Sequence, residues 1–370
     1  MSERPHDLRL LLGPGPSNVN PRVLQAMAQP LYGHLDPAFL AILDEVQSGL
    51  RELFGSANPL TLPLSATGSA GMEACLCNLL EPGDEIVVGV AGVFGARMSE
   101  VAERIGARVT RVECEPGTIL SDDEMIDAIR RVRPRAVAFV HAETSTGVCQ
   151  PVANLAHAAR EVGALVVLDC VTSLAGLSLD LDGWGIDAAY SGTQKCLSCP
   201  PGLSPVSFSE RAVERAGSRK TKVQSWYLDI NLLAGYFGGE RVYHHTAPIS
   251  AIYGLAEGLR IVAEEGMQVR TQRHYETAAA LVEGLAEFGM EPLVAAEHRL
   301  PMLTAIRLPE SLRGSEEAKL RQRLLDRWGI EVGGGLGALA GEIWRIGLMG
   351  ENARIANVES LLRALRHELD

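Results

Sequence analysis

Aromatic residues make up only 5% of the 370-residue chain, no basic block of five residues occurs, and no cysteine follows Cys199. No run of 18 apolar residues signals a membrane helix. The opening Met1-Ser2-Glu3-Arg4-Pro5-His6-Asp7 lacks the apolar core of a secretory signal, and His367-Glu368-Leu369-Asp370 is no peroxisomal address. The cytoplasm is the expected compartment. Lys and Arg number 34 against 46 Asp and Glu, a net charge of −12, which argues against a nucleic acid or an anionic membrane as partner. Seven scattered cysteines suit free thiols in a reducing compartment. Cys196-x-x-Cys199 has redox or zinc spacing, but no second ligand pair accompanies it and prolines follow, so no metal site is expected. His244-His245 points its two rings to different sides of an extended segment and reads as a hydrogen-bonding loop. Neither a Walker loop nor a G-x-G-x-x-G fingerprint is present.

With 46% hydrophobic residues, the chain can bury a large core and divides into two domains. Gly13-Pro14-Gly15-Pro16-Ser17 forbids helix, and with Leu10, Leu11 and Leu12 before it reads as an extended arm pinned on something apolar. A helix is expected over 37–54, where Phe39, Ile42, Leu43, Val46, Leu50 and Leu53 keep helical spacing. From Leu60 short apolar runs, 60–64, 85–90, 108–112, 136–140 and 165–168, alternate with helical patterns near 69–80, 94–105, 122–132 and 151–162. Such alternation predicts a mainly parallel sheet covered on both faces, with binding groups at the carboxyl ends of the strands. The basic stretch from Ser209 to Thr221 reads as helix, Tyr227 to Ile230 and Tyr243 to Pro248 as surface loops, and 248–265 and 267–289 as helices. Beyond them, strands near 303–308, 330–332 and 342–347 and helices near 315–327 and 354–367 make an α+β region, with Gly333 to Gly337 a mobile loop.

The strand ends carry the candidate chemistry. Lys195 follows Ser191-Gly192-Thr193-Gln194 in a low-charge turn with no acidic neighbour in sequence. It is either a solvated surface charge or a desolvated nucleophile of lowered pKa, fit to attack an aldehyde or ketone. Asp169, at the mouth of the run Ala164 to Leu168, either caps the next turn or faces a positive group such as a protonated ring nitrogen. Ser65-Ala66-Thr67-Gly68-Ser69-Ala70-Gly71 enters a helix and is either an ordinary cap or an anion cradle. Phe94 is either core or a stacking platform, and His141 to Gly147 is either a polar turn or a further binding edge. Arg345, in the apolar strand Ile343 to Leu348, either grips a substrate carboxylate or closes a structural ion pair.

These residues resemble the class V, fold-type I pyridoxal-phosphate aminotransferases, nearest to the alanine–glyoxylate and serine–pyruvate group. The similarity runs nearly end to end, through Gly13-Pro14-Gly15-Pro16-Ser17-Asn18, Glu81-Pro82-Gly83-Asp84, Glu143 to Val148, Tyr190 to Lys195, Ser218-Arg219-Lys220-Thr221-Lys222, Tyr243-His244-His245-Thr246 and Arg345-Ile346-Gly347-Leu348. The resemblance implies an α/β fold: an arm over 1–20, a large domain over 21–263 with a mainly parallel seven-stranded sheet, and a small α+β domain over 264–370. It implies that Lys195 holds pyridoxal 5'-phosphate covalently and then shuttles a proton, while Asp169 keeps the pyridine nitrogen protonated. Phe94 would stack on the ring, Ser145 and Val171 would line it, and Thr67, Gly68 and Ser69 would cup the phosphate near Gln194. Tyr243 and Thr246 would reach the phosphate of the neighbouring subunit in a homodimer. Arg345 would hold the substrate carboxylate, with Gly15 and Ser145 on the substrate side. The chain departs from the family at Phe94, where tryptophan is frequent, and at Ser69, where histidine is. The implied reaction moves the amino group of alanine or serine to glyoxylate or pyruvate in a ping-pong cycle. Alternatives are a 2-aminoethylphosphonate–pyruvate aminotransferase, a kynureninase-like hydrolase and a retired, non-catalytic fold. Cysteine desulfurases need a cysteine on a C-terminal loop, which this chain lacks.

Overall fold

The computed structural model describes residues 9–369, so the readings at Met1 to Asp7 and at Asp370 lie outside the described residues. Seven strands form the larger sheet in the order Leu60–Leu64, Ser204–Phe208, Ala188–Tyr190, Leu165–Asp169, Ala136–Val140, Glu85–Val90, Arg108–Glu113. Ser204–Phe208 alone runs antiparallel to its neighbours. The apolar runs reflect burial on both faces: every residue of Ala136–Val140 and Leu165–Asp169 is buried. Arg108–Glu113, at the edge, is charged and partly exposed, which keeps that edge from recruiting another strand.

Glycine brings one helix close to this sheet. In Gly68–Leu79, a Cβ on Gly71 would stand 3.0 Å from Tyr190 Cβ and overlap the Ser204 hydroxyl. At the far end of the same helix Arg215 Nε donates to Leu79 O at 3.0 Å and Arg219 Nη1 to Asn78 O at 3.2 Å. Two cations there satisfy final carbonyls and complement the helix dipole.

The smaller sheet has the order Leu10–Leu12, Ile330–Gly334, Ile343–Gly347, Leu303–Arg307, Glu291–Pro292. The arm is therefore more than pinned. Leu10, Leu11 and Leu12 pair in parallel with Ile330, Glu331 and Val332, and Leu12 is buried in a second hydrophobic core with Trp344, Ile346 and Leu361. The helices Ile249–Glu265 and Met267–Leu285 connect the two cores.

Three local readings are corrected. The helix after Ser209 ends at Gly217, and Arg219 turns back onto the helix Gly68–Leu79 instead of extending its own. Leu228 and Ile230 are buried rather than in a surface loop, and Ile230–Phe237 is a helix capped by Asp229, whose side chain accepts from Asn231 N. Eight residues present too few turns for periodicity to announce it. Gly333 and Gly334 are strand, paired with Arg345 and Trp344, and the chain leaves the sheet only from Gly335 on, turning at Gly337–Leu339. Gly333 packs where a Cβ would overlap Pro14, so its absent side chain serves close packing.

Candidate active site

A cavity of about 260 Å³ opens at the carboxyl ends of the parallel strands. Thr67, Gly68, Ser69, Phe94, Asp169, Val171, Gln194 and Lys195 all line it. They arrive from four separate chain segments, as the parallel topology requires.

Thr67 precedes the helix Gly68–Leu79 in extended conformation, and its side chain makes no capping bond. Its carbonyl accepts from Ala70 N at 2.9 Å, whereas the N–H groups of Gly68 and Ser69 have no acceptor among the described residues. Two free donors at the positive end of a helix form an anion cradle. Nearby, Ser65 is held by His245 Nε2 at 2.7 Å on its hydroxyl and by the Tyr227 hydroxyl at 2.9 Å on its carbonyl. The two histidines do form a hydrogen-bonded loop, but their rings meet rather than point to different sides, with His244 Nδ1 2.8 Å from His245 Nδ1.

On the floor, Asp169 Oδ2 accepts from the Tyr190 hydroxyl at 2.7 Å and Oδ1 from Val171 N at 2.8 Å. Burial pushes its carboxyl up to about 6, against these hydrogen bonds and the pull of Lys195, while the neighbouring Glu143 raises it further. Burial also lowers the Lys195 ammonium to about 8, with Arg345 acting the same way and Cys196 and Asp169 opposing. Lys195 Nζ donates to Pro14 O. Gly15, at φ +114°, presses so near that a Cβ there would overlap the lysine side chain. The arm thus forms the wall behind the amine.

Phe94 begins the helix Val93–Ile105, and its N–H donates to Glu143 Oε2 at 3.2 Å. Arg97, one turn on, places its guanidinium 5.0 Å from the Phe94 centroid. Ser145 stands behind the wall: its hydroxyl donates to Glu143 at 2.5 Å and accepts from Val93 N at 2.9 Å. Its neighbours Ala142 and Thr144 line the cavity instead. Arg345 is buried, donating through Nε to Gly334 O at 2.7 Å and through Nη1 to Thr144 O at 3.4 Å, and forms no ion pair among the described residues. Burial lowers its pKa. Tyr243 and Thr246 do not line this cavity, and both are exposed. Tyr190, Thr144, Thr172, Met72 and Arg97 were not singled out from sequence. Tyr190 had a signal, since it opens the motif that ends in Lys195.

The residues present fit pyridoxal phosphate. The free N–H pair suits a phosphate, Asp169 a protonated ring nitrogen, Phe94 and Val171 an aromatic ring, and the lowered amine of Lys195 an aldehyde. Gln194 Oε1, buried without a partner, leaves a further polar atom to be satisfied there.

Known proteins agree with this chemistry. The family model described as Aminotransferase class-V matches residues 9–349. The alanine–glyoxylate aminotransferase of Mus musculus is 41% identical over 365 residues, 98% of this chain and 87% of that protein. The solved alanine–glyoxylate aminotransferase of Nostoc sp. superposes with a TM-score of 0.97 at 49% identity, covering 100% of this chain and 97% of that one. Ureidoglycine–glyoxylate aminotransferase from Bacillus subtilis gives 0.96 at 39%, covering 100% and 94%.

Proposed function

Because the chain belongs to the class-V aminotransferases, whose cofactor is pyridoxal phosphate, we propose that it transfers the amino group of a small amino acid to glyoxylate, with Lys195 and Asp169 as its catalytic pair. The observation that carries the assignment of roles is the single cavity holding a lowered amine, a buried carboxylate and a free helix N-terminus. Pyridoxal phosphate, when bound, supplies an aldehyde to carry the amino group and a ring that takes up electrons released at the substrate α-carbon. Asp169 would hold the protonated ring nitrogen by its negative charge, and Tyr190 and Val171 N keep that carboxylate aimed. Lys195 is the group that removes the α-proton of the donor and later returns one to the product. Arg345 grips the substrate carboxylate with the guanidinium edge that Gly334 and Thr144 leave free, which orients the C–H bond to be broken. The donor's 2-oxo acid leaves before glyoxylate enters.

Alanine or serine is the proposed donor. A ureido-substituted glycine is the second reading, favoured by the Bacillus subtilis relative. Tyr243 and Thr246, exposed and apart from their own cavity, suit a role in the site of a second copy, and we assign the protein as a homodimer on that basis. Seven free cysteines support a cytoplasmic setting.

The test supplies purified protein with pyridoxal phosphate and follows its absorption band as alanine, serine, glycine and (S)-ureidoglycine are added separately. Bleaching by one donor, with recovery on glyoxylate, supports the reading and names the donor. A band indifferent to all four, or bleaching that glyoxylate cannot reverse, would refute it.

A further inference from the structure

Asp169 closes the strand Leu165–Asp169 and Lys195 lies in the loop after Ala188–Tyr190, so the loop that follows the first must be held at a constant distance from the loop that carries the second. Arg270, on the helix Met267–Leu285 and only 3% exposed, bonds both. Its Nε donates at 2.8 Å to the carbonyl of Ala175, in the loop that follows Asp169, and its Nη2 donates to the carbonyl of Cys196, the residue after Lys195. The third edge pairs with Glu265. An ion pair alone would need one edge of the guanidinium, yet here two edges are spent on neutral carbonyls in two loops.

The loops bear signs of being held in place. Ala175 and Ser198 both have left-handed backbone, φ +61° and +52°, which a residue with a side chain adopts only where its surroundings impose it. Cys196 Sγ donates to Thr172 O at 3.2 Å, a second tie between the same two loops. Behind Arg270 the clamp extends to the smaller core. Its own carbonyl accepts from His274 Nδ1 at 2.7 Å, and His274 Nε2 accepts from Gly350 N at 3.0 Å, which sets the tautomer of that ring. Arg273 donates to Gly350 O at 2.8 Å, and Ser198 Oγ accepts from Glu351 N at 2.8 Å.

We propose that Arg270 is a positioning residue, one guanidinium that sets the spacing of Lys195 and Asp169 by bonding the loop that carries the first to the loop that leaves the strand of the second. The inference rests on the roles given to those two residues above. A planar fork with fixed donor directions can span two carbonyls and a carboxylate, whereas the three donors of an ammonium share one nitrogen and do not fix that spacing.

The experiment compares wild type with Arg270→Lys, and with Arg270→Gln should the lysine variant fail to fold. In the holoenzyme, kcat falls about 10-fold or more while the donor KM stays within about twofold, the pattern of misplaced reacting groups. Guanidinium ion added to Arg270→Ala restores part of the rate. In the cofactor-free protein, labelling of the Lys195 amine is followed against pH. Asp169, Cys196 and Arg345 are the charged or titratable groups acting on that amine, and its midpoint lies near 8 in the wild type. The midpoint rises in the variant as the loosened loop lets water reach the amine. Glu265→Gln, which weakens the ion pairs of Glu265 with Arg270 and Arg273 but spares both carbonyl bonds of Arg270, leaves it in place. A folded variant with the wild-type midpoint and kcat overturns the proposal, and so does a Glu265→Gln protein with the same midpoint shift. If the wild type transfers no amino group, the functional reading fails while the labelling experiment still decides Arg270.

Discussion

At the scale of single residues the site keeps two charges that its surroundings disfavour. Asp169 is raised from 3.8 to about 6, equivalent to about 3 kcal/mol against the ionised form. Because the folded value is the higher one, this stability is present below 3.8 and lost as the pH rises through about 6. Cofactor-free Asp169→Asn should therefore be more stable than wild type at pH 8 by up to about 3 kcal/mol, the gap closing as the pH falls through 6 toward 3.8. Urea unfolding at several pH values measures this. The same variant, loaded with cofactor, should lose about 100-fold or more in kcat, as when one preorganised electrostatic group is deleted. Lys195 carries the opposite sign. Its folded value of about 8 lies below the ordinary 10.5, so the neutral amine is present above about 8. Capture of pyridoxal phosphate by the cofactor-free protein should accelerate with pH and level off above about 8, and Lys195→Ala should form no covalent adduct. A capture rate independent of pH between 6.5 and 9 would contradict a lowered amine.

The unit that matters at the scale of elements is the helix Gly68–Leu79, with the proposed phosphate cradle at one end and an arginine-capped terminus at the other. Its position depends on Gly71, whose added side chain would push against Tyr190, the residue that holds Asp169. Gly71→Val should lower stability by about 2 kcal/mol through overpacking and weaken cofactor affinity beyond that, because cradle and floor shift together. Thermal unfolding with and without cofactor, plus a cofactor titration, separates the two losses. Unchanged affinity in a destabilised protein would show that the helix end is placed independently of its packing face. Periodicity announced this helix and the central strands because they are long or wholly apolar, whereas Ile230–Phe237 was too short to register.

The whole molecule sets the smaller sheet and the arm against a cavity whose lining residues all fall between Thr67 and Lys195. Arg345, from the smaller sheet, reaches the Thr144 carbonyl that lines it, and the arm closes behind Lys195 after pairing with Ile330–Gly334. If Tyr243 serves the neighbouring subunit's site, Lys195→Ala and Tyr243→Ala chains, each impaired alone, should regain activity when mixed and refolded. Each mixed dimer then contains one site with both native residues. Activity no greater than the average of the two parents would place Tyr243 outside the partner's site. Sedimentation of the unmixed protein checks the dimer itself.

The amino-acid sequence alone determined the alternation of strand and helix, since burial on one or two faces writes its period directly into the chain. It also marked Thr67, Phe94, Asp169 and Lys195, because the ends of parallel strands are where side chains leave the sheet and face a shared opening. Tertiary structure decided the rest. That Leu10–Leu12 joins the sheet of residues 320 positions later, that Val93 N holds the Ser145 hydroxyl, and that Arg270 clasps two loops are all contacts between distant segments. No local pattern encodes them, because hydrogen bonds of that kind exist only once the elements have packed, and burial, which moves Asp169 up and Lys195 down, is a property of the packed chain.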